Sequence, residues 1–523
     1  MLHPASISPA SYLRSRAGRV CVALRGATVS ELLSRAQAAL AESHFLEFRL
    51  DSVDHPAKAV PAVAEFLSQH KDVAAIATCR RKVFGGSFAG TLADELKILT
   101  AAAKAGCGLL DLEIESAEEC APAALEALRE ASEDAGAALL ISFHDFHNAA
   151  DPEAAYHRIQ RFEPDFIKIV STAHNLTDSL KLLEWLTARS GQAQLVAIAM
   201  GEPGIVSRVL SLRAGSAFTF AAAPDGVETA PGQMTARTLK DIYQIEQIDK
   251  ATRVYGVAGN PVSHSLSPLM QNAAFRRERV NAVYLPLKTE SLDDLLTLAR
   301  KLPLSGLSVT MPLKVQILPH LANVDPITAK LGAANTIRMG ADGKLYGFNT
   351  DVAGIVRPLE KRLSLKGARV LVLGAGGAAR AAVHGLAEKG AQVSIWSRKE
   401  SAARELASAT HAQVLSRAEV AATPFDVLVN ATPCGMTGNH HPLPLEDHEW
   451  KARLVFDLVY NPLDTPLLQA ARARGVAVIQ GYEMFVHQGA RQFELWTGKP
   501  APEAEMLRDV LFALKKNHPG PGQ

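Results

Sequence analysis

What most constrains this chain is a pattern repeated along its first half. Over about 230 residues, short runs rich in Val, Ile and Phe alternate with Ala/Leu/Glu stretches of helical period. The runs are RVCVAL (19–24), FLEFRLD (45–51), AAIATCR (74–80), GLLDLEIE (108–115), ALLISFHD (138–145), FIKIVST (166–172), QLVAIAM (194–200) and AFTFAAA (217–223). Between them lie stretches such as ATVSELLSRAQAALAES and TLADELKILTAAAKAG. The second has Thr91 ahead of its apolar stripe and Gly106 just past its end, as helix capping requires. Strict β/α alternation implies a parallel sheet, and eight units of this size are what closes a (β/α)8 barrel. A doubly wound open sheet is the alternative.

At roughly 150 residues per domain, 523 residues hold more than this one unit. A helical stretch over 234–253 leads into VYGVAGNPVSHSLSP, a new strand and a Gly/Pro/Ser-rich loop, so a boundary is expected near 249–252. Lys plus Arg total 55 against 54 Asp plus Glu, and a net charge of +1 gives no pull toward nucleic acid or an anionic membrane. No uninterrupted apolar run approaches the ~20 residues needed to span a bilayer. The five cysteines lack ligand spacing, so neither a disulfide framework nor a metal site is expected, and reduced thiols suit a cytoplasmic location. Residues 1–18, acid-free with two arginines, resemble a transit peptide only faintly and are expected to form a frayed tail, as is NHPGPGQ at the other end.

The working face of such a barrel lies at the C-terminal ends of its strands. In FLEFRLD a period of two sends Glu47, Arg49 and Asp51 to one face, which in a closed barrel can be the inside. Lys168 sits within the apolar DFIKIVST, where desolvation favours the neutral amine, a nucleophile toward carbonyls. His144 ends the preceding strand and is expected beside it as a proton shuttle. Arg80, Arg208 and the turn APGQ (230–233) add groups suited to a carboxylate and hydroxyls.

The set EFRLD, ATCR, SFHDF, FIKIV, the arginine of SR (207–208) and TAPGQ resembles type I 3-dehydroquinate dehydratases over about residues 19–245. The resemblance implies an imine between Lys168 and the C3 carbonyl of 3-dehydroquinate. His144 then removes the C2 proton and protonates the departing hydroxyl, giving 3-dehydroshikimate. It also implies substrate contacts from Glu47, Arg49, Arg80, Arg208, Thr229 and Gln233, with Arg208 as carboxylate clamp. Thr229 stands where serine is common, and in RRKVFGG Phe84 stands where a glutamate often precedes the paired glycines.

In the second half, Gly374, Ala375, Gly376, Gly377 and Ala378 follow the strand RVLVL and open a helix, the setting in which free N–H groups receive a pyrophosphate. The next strand ends in Ser397-Arg398-Lys399 rather than an acid, and cations there fit a 2′-phosphate, so NADP is expected over NAD. Elsewhere Ser265 and Ser267 share a period of two, and Thr310, Lys314, Asn335 and Asp351 supply further polar groups.

The strings YGVAGNPVSHSLSP, VTMPLK, GAANT, NTD, GAGGAAR, NATPCGM, DLVYNP and QGARQFELWTG resemble shikimate dehydrogenases over about residues 253–517. That resemblance implies Lys314 and Asp351 as the catalytic pair and Ser265, Ser267, Thr310, Asn335, Tyr460 and Gln488 around the substrate. Thr432, Leu458 and Gly481 would line the nicotinamide side. Ser397 and Ala402 depart from the family's Asn and Arg in the basic motif, and Ser308 replaces an asparagine. The two resemblances together imply a TIM barrel (19–250), a shikimate-binding α/β domain (251–354 with 482–517) and a Rossmann NADP domain (355–481). They imply an enzyme that dehydrates 3-dehydroquinate and reduces 3-dehydroshikimate to shikimate. A catabolic quinate/shikimate dehydrogenase using NAD is the alternative. A metabolite sensor resembling fungal quinate repressors is disfavoured, because the lysines, histidine and aspartate are all in place.

Overall fold

A computed structural model of the chain describes residues 18–263, 265–441 and 443–517. The tail expected over 1–18 lies outside them except for Gly18, and so does the C-terminal stretch beyond Asn517. The chain forms two compact units. One runs to Thr252 and takes in Leu285–Leu302; the other comprises Arg253–Tyr284 and the residues from Pro303 onward.

The first unit is built on eight strands: β1 (Val20–Leu24), β2 (Phe45–Arg49), β3 (Ala74–Thr78), β4 (Leu109–Glu113), β5 (Ala138–His144), β6 (Phe166–Thr172), β7 (Gln194–Met200) and β8 (Thr219–Ala221). They run parallel in the order β7-β6-β5-β4-β3-β2-β1-β8. The seam is bridged by the Ala217 amide, which donates to the Leu195 carbonyl at 2.7 Å. This is the TIM barrel expected from the alternation. Its interior changes character along each strand, and the period of two is the reason. Phe45, Leu109, Leu140 and Phe166 fill one end as a buried apolar plug with Phe218. The next inward residues, two positions on, are Glu47, Asp111, Ser142 and Lys168, all buried.

Helices cover the outside. Thr91 caps Leu92–Lys104 through a capping box with Asp94, and Gly106 follows at φ +100, as the sequence suggests. Two expectations need correction. The helix expected over 234–253 is instead a π-turn at Thr238–Ile242 and a 3-10 turn at Ile245–Gln247, separated at Gln244, whose φ of 48 no helix accommodates. Strand β2 stops at Arg49, and Asp51 sits in the 3-10 turn Leu50–Ser52 that follows it, not on the strand face.

Two further sheets follow, built on the second unit except for the end of β10 from Leu285. In the first, β9 (Arg253–Gly259), β10 (Ala282–Lys288), β11 (Leu304–Val309), β12 (Asn323–Val324), β13 (Thr336–Met339) and β14 (Leu345–Phe348) take the order β10-β9-β11-β13-β14-β12. Strand β13 runs antiparallel to both neighbours. The other sheet is parallel, with β15 (Arg369–Leu373), β16 (Gln392–Trp396), β17 (Gln413–Val414), β18 (Pro424–Asn430), β19 (Lys451–Asp457) and β20 (Ala477–Ile479) in the order β17-β16-β15-β18-β19-β20. Renumbered within itself that is 3-2-1-4-5-6, the Rossmann order, whose ligand crevice opens beside the first strand. Helices Asp351–Glu360 and Gly481–Thr497 meet at Gly354, where an added Cβ would lie 2.7 Å from the Met484 carbonyl oxygen.

Candidate active sites

At the C-terminal end of the barrel strands, a cavity of about 100 Å³ is lined by eight of the residues singled out in this unit, Glu47, Arg49, Arg80, His144, Lys168, Arg208, Thr229 and Gln233, but not by Asp51. Lys168 Nζ lies 2.8 Å from Asp111 Oδ2, 3.8 Å from Glu47 Oε1 and 4.3 Å from the centre of the Phe220 ring. The expectation of an amine among apolar neighbours is thus corrected by two carboxylates. Burial alone would raise the Asp111 carboxyl. The Lys168 ammonium and the Arg80 guanidinium outweigh that and hold it well below the usual range. Glu47 is fixed by the Thr78 hydroxyl at 2.6 Å.

His144 Nδ1 faces Glu113 Oε1 at 3.0 Å, and burial with the Arg80 and Lys168 cations pushes the imidazole well below its ordinary value. Burial raises Glu113 to about 7 against the opposing pull of Arg80, with Asp111 adding to the rise. Arg80 Nε lies 2.7 Å from Glu113 Oε2, an ion pair by distance in which the N–H is not aligned as a hydrogen bond. Arg49 is gripped by Asp51 through two contacts of 2.9 Å, and Asp51 also accepts the Ser87 amide. Arg208 is 2% exposed; its Nη1 donates to the Phe220 carbonyl while its Nε has no partner among the described residues. Burial pulls that guanidinium down to about 10, opposed only by Glu228. Thr229 donates its hydroxyl to Gln233 Oε1 at 3.0 Å.

Asp111, Glu113, Ser142 and Phe146 were not anticipated. The signal for the two acids was present: GLLDLEIE places them at a period of two, as FLEFRLD does Glu47 and Arg49. Phe146 lines the cavity and stacks on the His144 ring at 5.7 Å and 17°.

In the second unit a cavity of about 1120 Å³ gathers Ser265, Ser267, Thr310, Lys314, Asn335, Asp351, Ala378, Thr432, Leu458, Tyr460 and Gln488. Asp351 is the first residue of the helix Asp351–Glu360. Its Oδ2 takes Lys314 Nζ at 2.7 Å and its Oδ1 takes Asn335 Nδ2 at 2.7 Å. Ser308, also lining the cavity, receives the Tyr284 hydroxyl and donates to Gln492.

Gly374, Ala375, Gly376, Gly377, Ser397, Arg398 and Gly481 do not line this cavity. Gly374 (φ +112) turns the chain out of β15, and Gly376 is the N-cap of Gly377–Glu388 with no side chain covering the helix end. A Cβ added at Gly376 or Gly377 would meet nothing within 4 Å. Register of β15 with β16 sets Leu373 beside Trp396, so Ser397 and Arg398 follow next to the glycine turn. Among the described residues neither Arg398 nor Lys399 forms a side-chain ion pair, and Arg398 is exposed. Gly481 instead permits close approach of the 458–459 backbone, where a Cβ would lie 2.3 Å from the Val459 oxygen. Behind the cavity, Asp457 accepts from Asn430, the Val459 amide and Thr465, while Asn430 accepts from Thr432.

Comparison with known proteins matches this arrangement unit by unit. Residues 20–250 match the family described as type I 3-dehydroquinase. Residues 257–337 match the shikimate dehydrogenase substrate binding domain, 358–449 shikimate / quinate 5-dehydrogenase, and 481–511 the shikimate 5'-dehydrogenase C-terminal domain. A chloroplastic bifunctional 3-dehydroquinate dehydratase/shikimate dehydrogenase of Arabidopsis thaliana is 35% identical over 448 residues, covering 82% of this chain and 73% of that protein. A shikimate dehydrogenase (NADP(+)) of Anaeromyxobacter dehalogenans is 43% identical over 269 residues, 49% of this chain and 95% of that protein. The crystal structure of Thermus thermophilus shikimate 5-dehydrogenase, solved with NADP(H) and shikimate, aligns at 35% identity and a TM-score of 0.47, covering 50% of this chain and 100% of that one. No helix among the described residues is long and apolar enough to cross a membrane. With a dehydroquinase barrel followed by a shikimate dehydrogenase, and with a relative that joins both activities in the same order, the chain belongs to the bifunctional 3-dehydroquinate dehydratase/shikimate dehydrogenase family of the shikimate pathway.

Proposed function

We propose that Lys168 carries the dehydration as an imine and that Lys314 and Asp351 carry the reduction. The observation that supports this best is Lys168 itself, an amine 5% exposed inside the barrel cavity with an acceptor at 2.8 Å and a histidine on the adjoining strand. To attack, the ammonium releases a proton to solvent, while Asp111 stays as its ionised counter-ion. The free amine adds to the C3 carbonyl of 3-dehydroquinate, and loss of water leaves a C=N bond. The protonated imine withdraws electrons from the C2–H bond. His144 takes that proton and then returns it to the departing hydroxyl, which leaves as water. Arg208, with its unpartnered Nε, clamps the carboxylate; Glu47, Arg49, Arg80, Thr229 and Gln233 hold the ring oxygens.

A dinucleotide fits the glycine turn, because the open helix end at Gly376–Gly377 leaves its N–H groups free for a pyrophosphate. Arg398 and Lys399, without ion-pair partners among the described residues, suit a 2′-phosphate, so we read the cofactor as NADP. When bound, its nicotinamide supplies the hydride. Lys314, held by Asp351, delivers the proton to the carbonyl oxygen. Ser265, Ser267, Thr310, Asn335, Tyr460 and Gln488 orient 3-dehydroshikimate, with Thr432 and Leu458 on the nicotinamide side. We assign dehydration to 19–250, shikimate binding to 251–354 with 482–517, and NADP binding to 355–481. Five free cysteines suit a reducing compartment, and we take that to be the cytoplasm.

Borohydride added with 3-dehydroquinate is expected to trap a label on Lys168, read by peptide mass; label elsewhere sinks the imine assignment. A spectrophotometric comparison of NADPH with NADH, and of shikimate with quinate, tests the rest. Preference for NAD and quinate would favour the catabolic alternative.

A further inference from the structure

We propose that Glu113 is the positioning residue that makes His144 an effective acid–base group in the barrel. This rests on the reading of His144 as the proton shuttle. The geometry comes from two adjacent strands. Glu113 pairs in register with Ser142, so the next inward residue of β5, His144, lies one step above it. Its Oε1 meets Nδ1 of the ring at 3.0 Å. The other oxygen is held in place 2.7 Å from Arg80 Nε, with the Ser142 hydroxyl, which it shares with Asp111, at 3.0 Å. Phe146 presses the ring from its face, and room for it exists only because Gly85 lacks a Cβ, which would lie 2.3 Å from the Phe146 ring. With Nδ1 occupied and the face covered, Nε2 remains for substrate. Among the described residues no other carboxylate reaches His144. The loop after Arg80 brings none, since Phe84 lies against the Arg81 guanidinium at 4.8 Å.

A shuttle must accept a proton and release it within one turnover. His144 does so facing the cations Arg80, Arg49 and Lys168, which oppose an imidazolium, while Asp111 favours it. Glu113 is itself surrounded by Arg80, Asp111 and Lys168, and it acts electrostatically on Glu95 and Glu115. Burial lifts the Glu113 carboxyl to about 7, but a positive charge on the ring it touches favours its ionised form, so the carboxylate offsets the cations at the moment the ring becomes charged. It also fixes which nitrogen faces the substrate.

The test compares E113Q and E113D with the wild-type full chain. In E113Q, kcat for dehydration is expected to fall about 10- to 100-fold. KM should stay within about twofold, because Glu113 touches His144 and not the substrate. The acid limb of kcat against pH should move to lower pH, because the unassisted imidazolium loses its proton more easily. Borohydride should still label Lys168, confirming a folded cavity and keeping this outcome separate from failure of the imine itself. E113D, which retains an ionisable carboxyl, should recover part of kcat and keep the wild-type limb. Wild-type kcat and limb in E113Q would overturn the proposal, and so would equal losses in E113Q and E113D with an unmoved limb. If E113Q loses the label, E113D decides: a lowered kcat with the limb kept supports the role, and unchanged kinetics overturn it. Full dehydratase activity in H144A would overturn both the shuttle and this proposal.

Discussion

Arg208, the proposed carboxylate clamp, is a residue whose burial is unfavourable for the fold. A buried guanidinium with no carboxylate in contact costs desolvation that Glu228 opposes only from a distance and that a ligand's anion would offset directly. Arg208→Met removes that charge while filling similar volume. The melting temperature of the ligand-free barrel is therefore expected to stay level or rise. KM for 3-dehydroquinate should rise by at least about 30-fold, following the ~2–5 kcal/mol that an unpaired buried carboxylate partner costs. Calorimetry and steady-state kinetics on one preparation check both, and a lowered melting temperature with unchanged KM would refute the clamp. Lys168 and His144 were legible in the sequence, because a polar or charged residue inside an apolar strand or at its end stands out, whereas Arg208, on the helix Ile205–Ala214, was reached only through the SR motif. Asp111 and Glu113 show the same alternation, but their importance depends on which strands adjoin β4. Only the register of β4 with β5, and the reach of Lys168 across from β6, turns two acids into a counter-ion and a histidine partner.

At the scale of elements, strands were legible and their ends were not. Periods of two and capping pairs such as Thr91–Asp94 are local, so β1 to β8 fall where the pattern suggests. The break after Ile242 has no local signature, because the amphipathic period of 234–253 continues through a residue held at positive φ by its surroundings. Tertiary tying of strand ends is equally hidden. Asn430 and Asp457 are registered partners at the ends of β18 and β19, and their hydrogen bonds fix the turn at Thr432 and the amide of Val459. Asp457→Ala should release both segments, raising KM for NADPH and lowering reductase kcat by about tenfold, while dehydration in the same chain is unaffected. Burial lifts the Asp457 carboxyl from 3.8 to about 6, against the pull of its donors. An acid raised on folding stabilises most below its unfolded value, and that contribution is lost as pH rises through about 6. Thermal melts from pH 4 to 8 should show this decline in the wild type and a flatter curve in D457A. Parallel curves would contradict the assignment.

For the whole molecule, the decisive fact is that each cavity is complete within its own unit. Every residue lining the barrel cavity lies before Thr252, and every residue lining the larger one belongs to Arg253–Tyr284 or to the chain from Pro303 onward. Neither set of reacting groups borrows a side chain from the other, so loss of one activity should leave the other whole. Lys168→Ala should abolish dehydration and retain NADPH-dependent reduction of 3-dehydroshikimate; Lys314→Ala should do the reverse, with a loss in reduction of about 100-fold or more for a missing general acid. Mixed at equal concentration, the two variants should convert 3-dehydroquinate to shikimate, because the product of the first is a stable solute that the second accepts. The informative quantity is the lag before shikimate appears. If the intermediate leaves by diffusion, the mixture and the wild type at matched site concentration share the same lag, set by the reductase KM and kcat. A lag present in the mixture but absent from the wild type would mean that covalent linkage speeds the transfer, and the two sites could then no longer be treated as kinetically independent.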